Sequence, residues 1–552
     1  MRRCLFLVVV FCTLIFAQEI GARYLIITHD NFYDAIQPFV AWKHRTGLRT
    51  KVVKLSQIGY STSAIKAYID SAYDTWQIPP EFLLLVGSPY HIPFYVFSYY
   101  CYSDNYYTNM DSDIHNEILS GRLTVHNTTE AQTVVSKMLL YEKTPDLADS
   151  LWFINACLIV NEDYNTYPPP PYGDDSIYWS DIRHAKGLML TNDYNIIDTL
   201  SDLLGNYAND VIASVNQGRA FVLYRGCGTN NWSPPFDVEP NQTQNGTKLP
   251  IVLSITCGTI GTGYSSAAAE RWLLTGSPSL PRGGAGYFAT TTSGSGIAHL
   301  RSAVCKGFFN GLFQQGKWRF GEACEAGRKN VYDLYGSTSE YRGFTTLGDP
   351  AMSIWTAIPE PLEVFHDSVL SVSDDSLGIS VYSQDAPVES ALVCVLLDTI
   401  VYEYGYTNNN GEIVFNFDTL LQGYMHVTVT AHNKIPYLDS IPVGLTHVEE
   451  TTQMTTAYLF DIEISPNPFR QTTKIRYSIL DTRYLIERPT LRIHDVGGRI
   501  VRYLNLESSI QNLESAVIWD GTDDAGCKLP AGVYFLSFSD STITTKPIVL
   551  LR

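Results

Sequence analysis

Leu249-Pro250-Ile251-Val252-Leu253-Ser254-Ile255-Thr256-Cys257-Gly258-Thr259 is the stretch that decides the fold. Its apolar run, Leu249–Ile255, ends at a turn rich in glycine. A short apolar run with such a boundary reads as a strand buried on both faces. Open α/β sheets present their chemistry at the carboxyl ends of strands like this one. Cys257 stands at that end, where a nucleophile is delivered. Upstream, Ala220-Phe221-Val222-Leu223-Tyr224-Arg225-Gly226-Cys227-Gly228 repeats the strand and turn. A cysteine hydrolase needs a base beside its thiol, normally histidine. The twin turn carries a second cysteine instead.

Outward from this pair, strands and helices alternate from Arg23 to about Ala357. Strands are expected at Tyr24–Thr28, Thr50–Leu55, Glu81–Val86, Ile118–Thr124, Ala156–Val160, Ala220–Leu223, Ile251–Ile255 and Ala285–Ala289. Helical spacing marks Asn31–Thr46, Thr62–Tyr73, Thr129–Tyr141, Ala267–Thr275, Ser302–Gln314 and Gly321–Tyr335. Apolar strands between amphipathic helices predict a mostly parallel sheet with helices on both faces. Beyond Ala357 the period changes to two. Residues 362–445 alternate apolar and polar in short runs, with a hairpin turn at Asn408-Asn409-Asn410-Gly411. Thr446–Leu459 is a polar linker, and 460–552 form a second all-β module.

A chain of 552 residues exceeds one hydrophobic core, so several domains are expected. Lysine plus arginine number 38 against 56 acids, a net charge of −18, which argues against nucleic acid or an anionic membrane as partner. Met1-Arg2-Arg3 precedes an apolar stretch from Cys4 to Ala17, the pattern of a cleaved secretory signal over 1–17. No later stretch is apolar for long enough to span a bilayer. The remaining cysteines are scattered without a Cys-x-x-Cys pair, so neither a disulfide scaffold nor a zinc site is expected. No cofactor is required.

Residues 23–357 resemble the gingipain-like cysteine peptidases, which have a caspase-like α/β fold. The likeness is carried by Tyr24-Leu25-Ile26-Ile27-Thr28, Phe39-Val40-Ala41-Trp42-Lys43 with Thr46-Gly47, Leu83-Leu84-Leu85-Val86-Gly87 with Ile92-Pro93, and Ser103-Asp104. Gly121-Arg122-Leu123, the Cys257 strand, Ala269-Glu270 and Leu347-Gly348-Asp349-Pro350 extend it. Residues 362–445 resemble the Ig-like domain that follows such peptidases, through Tyr404-Gly405-Tyr406-Thr407 and Val427–His432. Residues 460–552 resemble an Ig-like C-terminal sorting domain of the type 9 secretion system. Ser465-Pro466-Asn467-Pro468-Phe469, Ile493–Arg499, Trp519-Asp520-Gly521 and Leu529–Tyr534 carry that match. The resemblance implies export through the periplasm and across an outer membrane, to the cell surface or beyond.

The same resemblance places the nucleophile at Cys257. The family's histidine belongs to a Gly-His-Gly turn, and here Cys227 fills that position between Gly226 and Gly228. A thiol is a poor general base near neutrality and does not become a cation. The family's acid falls at Glu162 or Asp163. Backbone N–H groups at Gly226, Gly228 and Gly258 are the oxyanion-hole candidates. His91, His184 and His299 are expected to be structural or surface residues. Asp104, Asp111, Asp113 and Glu117 crowd one loop region, and the family includes calcium binders, so a structural Ca²⁺ is expected there. Two functions follow: an exported cysteine endopeptidase cutting proteins through Cys257, or a catalytically inactive relative binding peptides or cell-surface partners.

Overall fold

The computed structural model describes residues 18–98, 101–111, 113–162, 174–263, 267–398, 400–444, 460–479, 490–494, 500–505, 514–524, 526–538 and 546–551. The expected signal segment, Asp163 and the 446–459 linker lie outside them. Two compact units result, Met1–Thr446 and His447–Arg552.

The first unit is built on ten strands. In spatial order they are Thr50–Lys54, Tyr24–Thr28, Phe82–Val86, Leu119–Leu123, Phe344–Leu347, Gly286–Thr290, Ile251–Ile255, Phe221–Arg225, Asn155–Val160 and Ile196–Ser201. Every neighbouring pair is parallel except Gly286–Thr290 with Phe344–Leu347. The sheet therefore has two halves running in opposite directions. The carboxyl ends of the first four strands open on one edge, and the end of the Cys257 strand opens on the other.

Both faces are covered, as the apolar runs require. Ile251, Leu253 and Ile255 enter the same core as Tyr178, Ile182, Val304 and Phe308. Val252 enters the opposite core with Val215, Ala268 and Trp272. Odd-numbered residues of this strand thus face the helices Asp174–Leu190 and Ala298–Gln314.

Sequence and structure differ at a few places. The helix expected from Asn31 begins at Gln37, where Pro38 occupies the first turn. Strands Ile196–Ser201 and Phe344–Leu347 are additions. The first is a half-exposed edge strand with no apolar run, and the second is a four-residue segment with two threonines.

Residues 363–444 form two packed sheets, antiparallel except where Leu370–Ser371 pairs in parallel with Tyr437–Gly444, around Val381, Val393, Val395, Val427 and Ile441. This module docks onto the α/β portion through aromatic contacts. Trp318 stacks on His432 with ring centroids 4.3 Å apart, and Arg49 lies 4.5 Å over the Tyr402 ring. The described residues of the second unit, taken by itself, hold strands and no helix, with Trp519, Ile475, Ile493 and Leu536 in their core. Among the described residues no helix is long and apolar enough to cross a membrane.

Candidate active site

Parallel pairing sets Arg225 opposite Ile255, so the turns after these strands leave the sheet side by side. Side chain and backbone then stitch them together. Thr256 Oγ1 donates to the Gly226 carbonyl at 2.6 Å, and the Asn230 N–H donates to the Gly258 carbonyl at 2.8 Å. Gly226 has to be glycine. A Cβ there would lie 2.7 Å from Asn161 Cβ and 2.8 Å from the Asn161 carbonyl oxygen. The Cys227 carbonyl accepts from the Tyr224 hydroxyl and the Ser233 N–H. Tyr224 is fixed by a flat stack on Trp232, 4.6 Å between centroids.

Cys257 continues the odd-numbered face of its strand and so turns toward the helix Ala298–Gln314. It is half-buried, and its thiol is directed at the Gly294 carbonyl 3.5 Å away. Arg301, in the first turn of that helix, places Nη1 3.0 Å from the sulfur. The Arg301 side chain is 5% exposed. Its Nε donates to Glu340 Oε2 at 3.2 Å and its Nη2 to the Thr292 carbonyl at 3.3 Å. Thr292 Oγ1 donates to the other Glu340 oxygen at 2.7 Å. Burial opposes the arginine's charge, but Glu340 and Cys257 outweigh it and hold its pKa above the ordinary guanidinium value. Cys227 and Cys257 are not joined as a disulfide.

A second buried guanidinium braces the strand end. Arg225 Nε pairs with Asp181 at 2.8 Å, and its remaining nitrogens donate to the carbonyls of Ile255 and Ala298. Asp181 also accepts from Ser302 Oγ at 2.5 Å. The loop after Cys257 is held by Glu270, whose carboxylate accepts from the Gly261 and Ala267 N–H groups. Burial raises that carboxyl above the usual carboxylate range.

The remaining predicted positions are distributed as follows. Glu162 is buried, and its Oε1 accepts from Trp179 Nε1 at 2.9 Å and Ser201 Oγ at 2.7 Å, not from either cysteine. The Gly258 N–H donates to the Thr292 carbonyl at 2.8 Å, so it is committed to the fold. Gly226 and Gly228 flank Cys227 on the adjacent turn. Among the described residues no histidine hydrogen-bonds to Cys257. His184 meets Asn310, His299 stacks on Tyr335, and His91 sits by Ser88 and His29.

The acidic group separates. Asp104 leaves it for a buried bidentate pair with Arg122, at 3.0 and 2.5 Å. Pairing of Leu119–Leu123 with Phe82–Val86 sets that partner, which loop proximity in sequence does not reveal. Asp111, Asp113 and Glu117 stay together, each offering a carboxylate oxygen within 4.8 Å of the others. Such hard oxygen donors suit Ca²⁺. Each also accepts a local backbone N–H, from Asp113, His115 and Met110 respectively.

Arg301 is the site residue that sequence reasoning missed. Nothing local joins it to Cys257. The one trace is a charged residue on the buried face of an apolar helix.

The family model of peptidase family C25 matches residues 17–355. The chain is similar to gingipain R1 of Porphyromonas gingivalis, 23% identical over 441 residues, covering 77% of this chain and 43% of that protein. It is similar also to a Lys-gingipain of the same organism, 21% identical over 456 residues, covering 76% of this chain and 26% of that protein. It therefore spans less than half the length of these two relatives. Among solved structures, that of the Arg-specific cysteine proteinase gingipain R superposes with a TM-score of 0.68 at 20% identity, covering 77% of this chain and 98% of that one. The complex of the gingipain pro- and mature domains gives a TM-score of 0.68 at 20% identity, over 76% and 100%. At these identities the superpositions establish a shared fold.

Proposed function

Given that the chain belongs to peptidase family C25, a gingipain-like family of cysteine peptidases, we propose that it acts on proteins as a cysteine-type endopeptidase through Cys257. One observation carries the reading. Cys257 is a half-buried thiol at the carboxyl end of a central strand, braced by two buried arginine networks. In the reaction the Cys257 thiolate attacks the scissile carbonyl. A C–S bond forms, the C–N bond breaks, and the leaving amine takes its proton from water. Water then cleaves the thioester, returning the thiolate and a carboxylate product. The N–H groups of Gly226 and Gly228 are the oxyanion donors in this reading, since that of Gly258 is engaged.

Cys227 favours a second reading, in which the cleft binds peptides without turning them over. Catalysis without a positioned base or acid loses the roughly 10²–10⁴-fold that proton transfer contributes. The two readings separate in one assay. Reduced mature protein is given casein and fluorogenic Arg and Lys peptides, with Cys257→Ala alongside. Cleavage lost in the variant supports the peptidase. Peptide binding without cleavage, equal in both proteins, supports the second reading.

The reading extends to the rest of the chain. Residues 1–17 serve as a signal for export, and the separate all-β unit after Thr446 serves type 9 secretion. Asp111, Asp113 and Glu117 hold a structural Ca²⁺, which a calcium-dependent rise in Tm, absent in Asp111→Asn/Asp113→Asn, would support. An unchanged Tm would count against it.

A further inference from the structure

Among the described residues no imidazole hydrogen-bonds to Cys257, yet a cation touches the sulfur. We propose that Arg301 activates Cys257: its guanidinium stabilises the Cys257 thiolate and makes this thiol reactive without a histidine. The inference rests on Cys257 being the nucleophile position, but it makes no use of peptide cleavage.

Three observations converge. Arg301 Nη1 lies 3.0 Å from Sγ, within range for an N–H donor to sulfur. The guanidinium is fixed, because Glu340 and the Thr292 carbonyl take its other donors. It is also buried, so its field reaches the sulfur with little screening by water. Arginine stays cationic throughout the working pH range, whereas an imidazolium does not. Ionisation releases the thiol proton to solvent, since arginine cannot accept it. Arg301 therefore replaces one half of a histidine's work, charge stabilisation, and leaves the proton transfer undone.

Glu340 stands behind Arg301 and offsets part of its charge. Its removal gives a signature that a structural role would not. Glu340→Gln weakens the packing around Arg301 but strengthens the positive field at the sulfur.

The test is alkylation of the reduced, full-length protein with iodoacetamide, where the thiolate displaces iodide. Peptide mass spectrometry reads each site separately, and exposed Cys527 serves as a reference thiol in the same molecule. At pH 6.5, Cys257 is expected to react about tenfold faster relative to Cys527 in the wild type than in Arg301→Gln. The difference should close near pH 10, where thiols ionise unaided. Arg301→Lys should fall between the two, and Glu340→Gln should match or exceed the wild type. Equal rates in wild type and Arg301→Gln at pH 6.5 overturn the proposal. So does a deficit that persists unchanged at pH 10, which would mark altered access. If Arg301→Gln does not fold, the wild-type profile decides: a Cys257-to-Cys527 rate ratio no higher at pH 6.5 than at pH 10 refutes it. Rapid alkylation in a protein that cleaves no peptide would remove the peptidase reading and leave this one standing.

Discussion

Cys227→His supplies an imidazole that no described residue offers Cys257, and its effect can be worked from the sheet. Parallel strands lie about 4.8 Å apart. Arg225 is opposite Ile255, so positions 227 and 257 emerge next to each other, in turns tied by the Thr256–Gly226 and Asn230–Gly258 hydrogen bonds. An imidazole at 227, longer than the thiol it replaces, spans that gap. A positioned general base contributes about 10²–10⁴-fold. Arg301 already faces the sulfur, and a second cation beside it is disfavoured. The lower end is therefore expected: about a hundredfold rise in kcat/KM, equal to about 2.7 kcal/mol of transition-state stabilisation. Hydrolysis of fluorogenic Arg or Lys peptides by wild type, Cys227→His and Cys227→His/Cys257→Ala measures it. A folded Cys227→His no faster than wild type would refute the adjacency argument. Activity surviving in the double variant would refute Cys257 as the nucleophile.

Three further outcomes are expected. Gly226→Ala forces a Cβ to within 2.8 Å of two Asn161 atoms, and a destabilisation of about 1–3 kcal/mol should lower Tm, whereas an unchanged Tm would show that the turn yields freely. Arg122→Leu leaves Asp104 buried without its cation and should cost about 3–5 kcal/mol in urea unfolding, most of it recovered in Arg122→Leu/Asp104→Leu; equal losses in the two would contradict the pairing argument. Burial between Trp318 and Thr356 pushes His432 down to about 3, so between there and the unfolded value near ~6.5 the unfolded chain binds more protons. Stability consequently falls as pH is lowered through that window, by about 3 kcal/mol at pH 4 from this residue, and urea unfolding of His432→Gln should lack that loss; an equal loss in both proteins would contradict it.

Much of the α/β portion is legible because fully buried strands leave apolar runs. Ile251–Ile255 and Phe82–Val86 are buried throughout and are read without error of type. Ile196–Ser201 is not legible, because an edge strand half in water needs no such run. The reversal of direction between the two halves leaves no mark in composition, since it arises from how Phe344–Leu347 pairs on either side. Cys257 is legible as a strand-end thiol, and the two cysteine turns are legible as twins. Arg301 is not, because its contact with Cys257 is made by the return of a distant helix over the sheet. The grouping of Asp104 with Asp111 and Asp113 fails for a related reason. Nearness along the chain is a poor guide where a neighbouring strand offers a buried guanidinium.

The question on which everything above turns is whether Cys257 reacts as a peptidase nucleophile despite Cys227. An electrophilic peptide probe, an acyloxymethyl ketone carrying Arg or Lys, tests it most directly, with the labelled residue located by mass spectrometry. A single covalent adduct at Cys257 is expected, slowed in Arg301→Gln and absent in Cys257→Ala. No adduct, or labelling that falls on Cys227 or Cys527 instead, would contradict it.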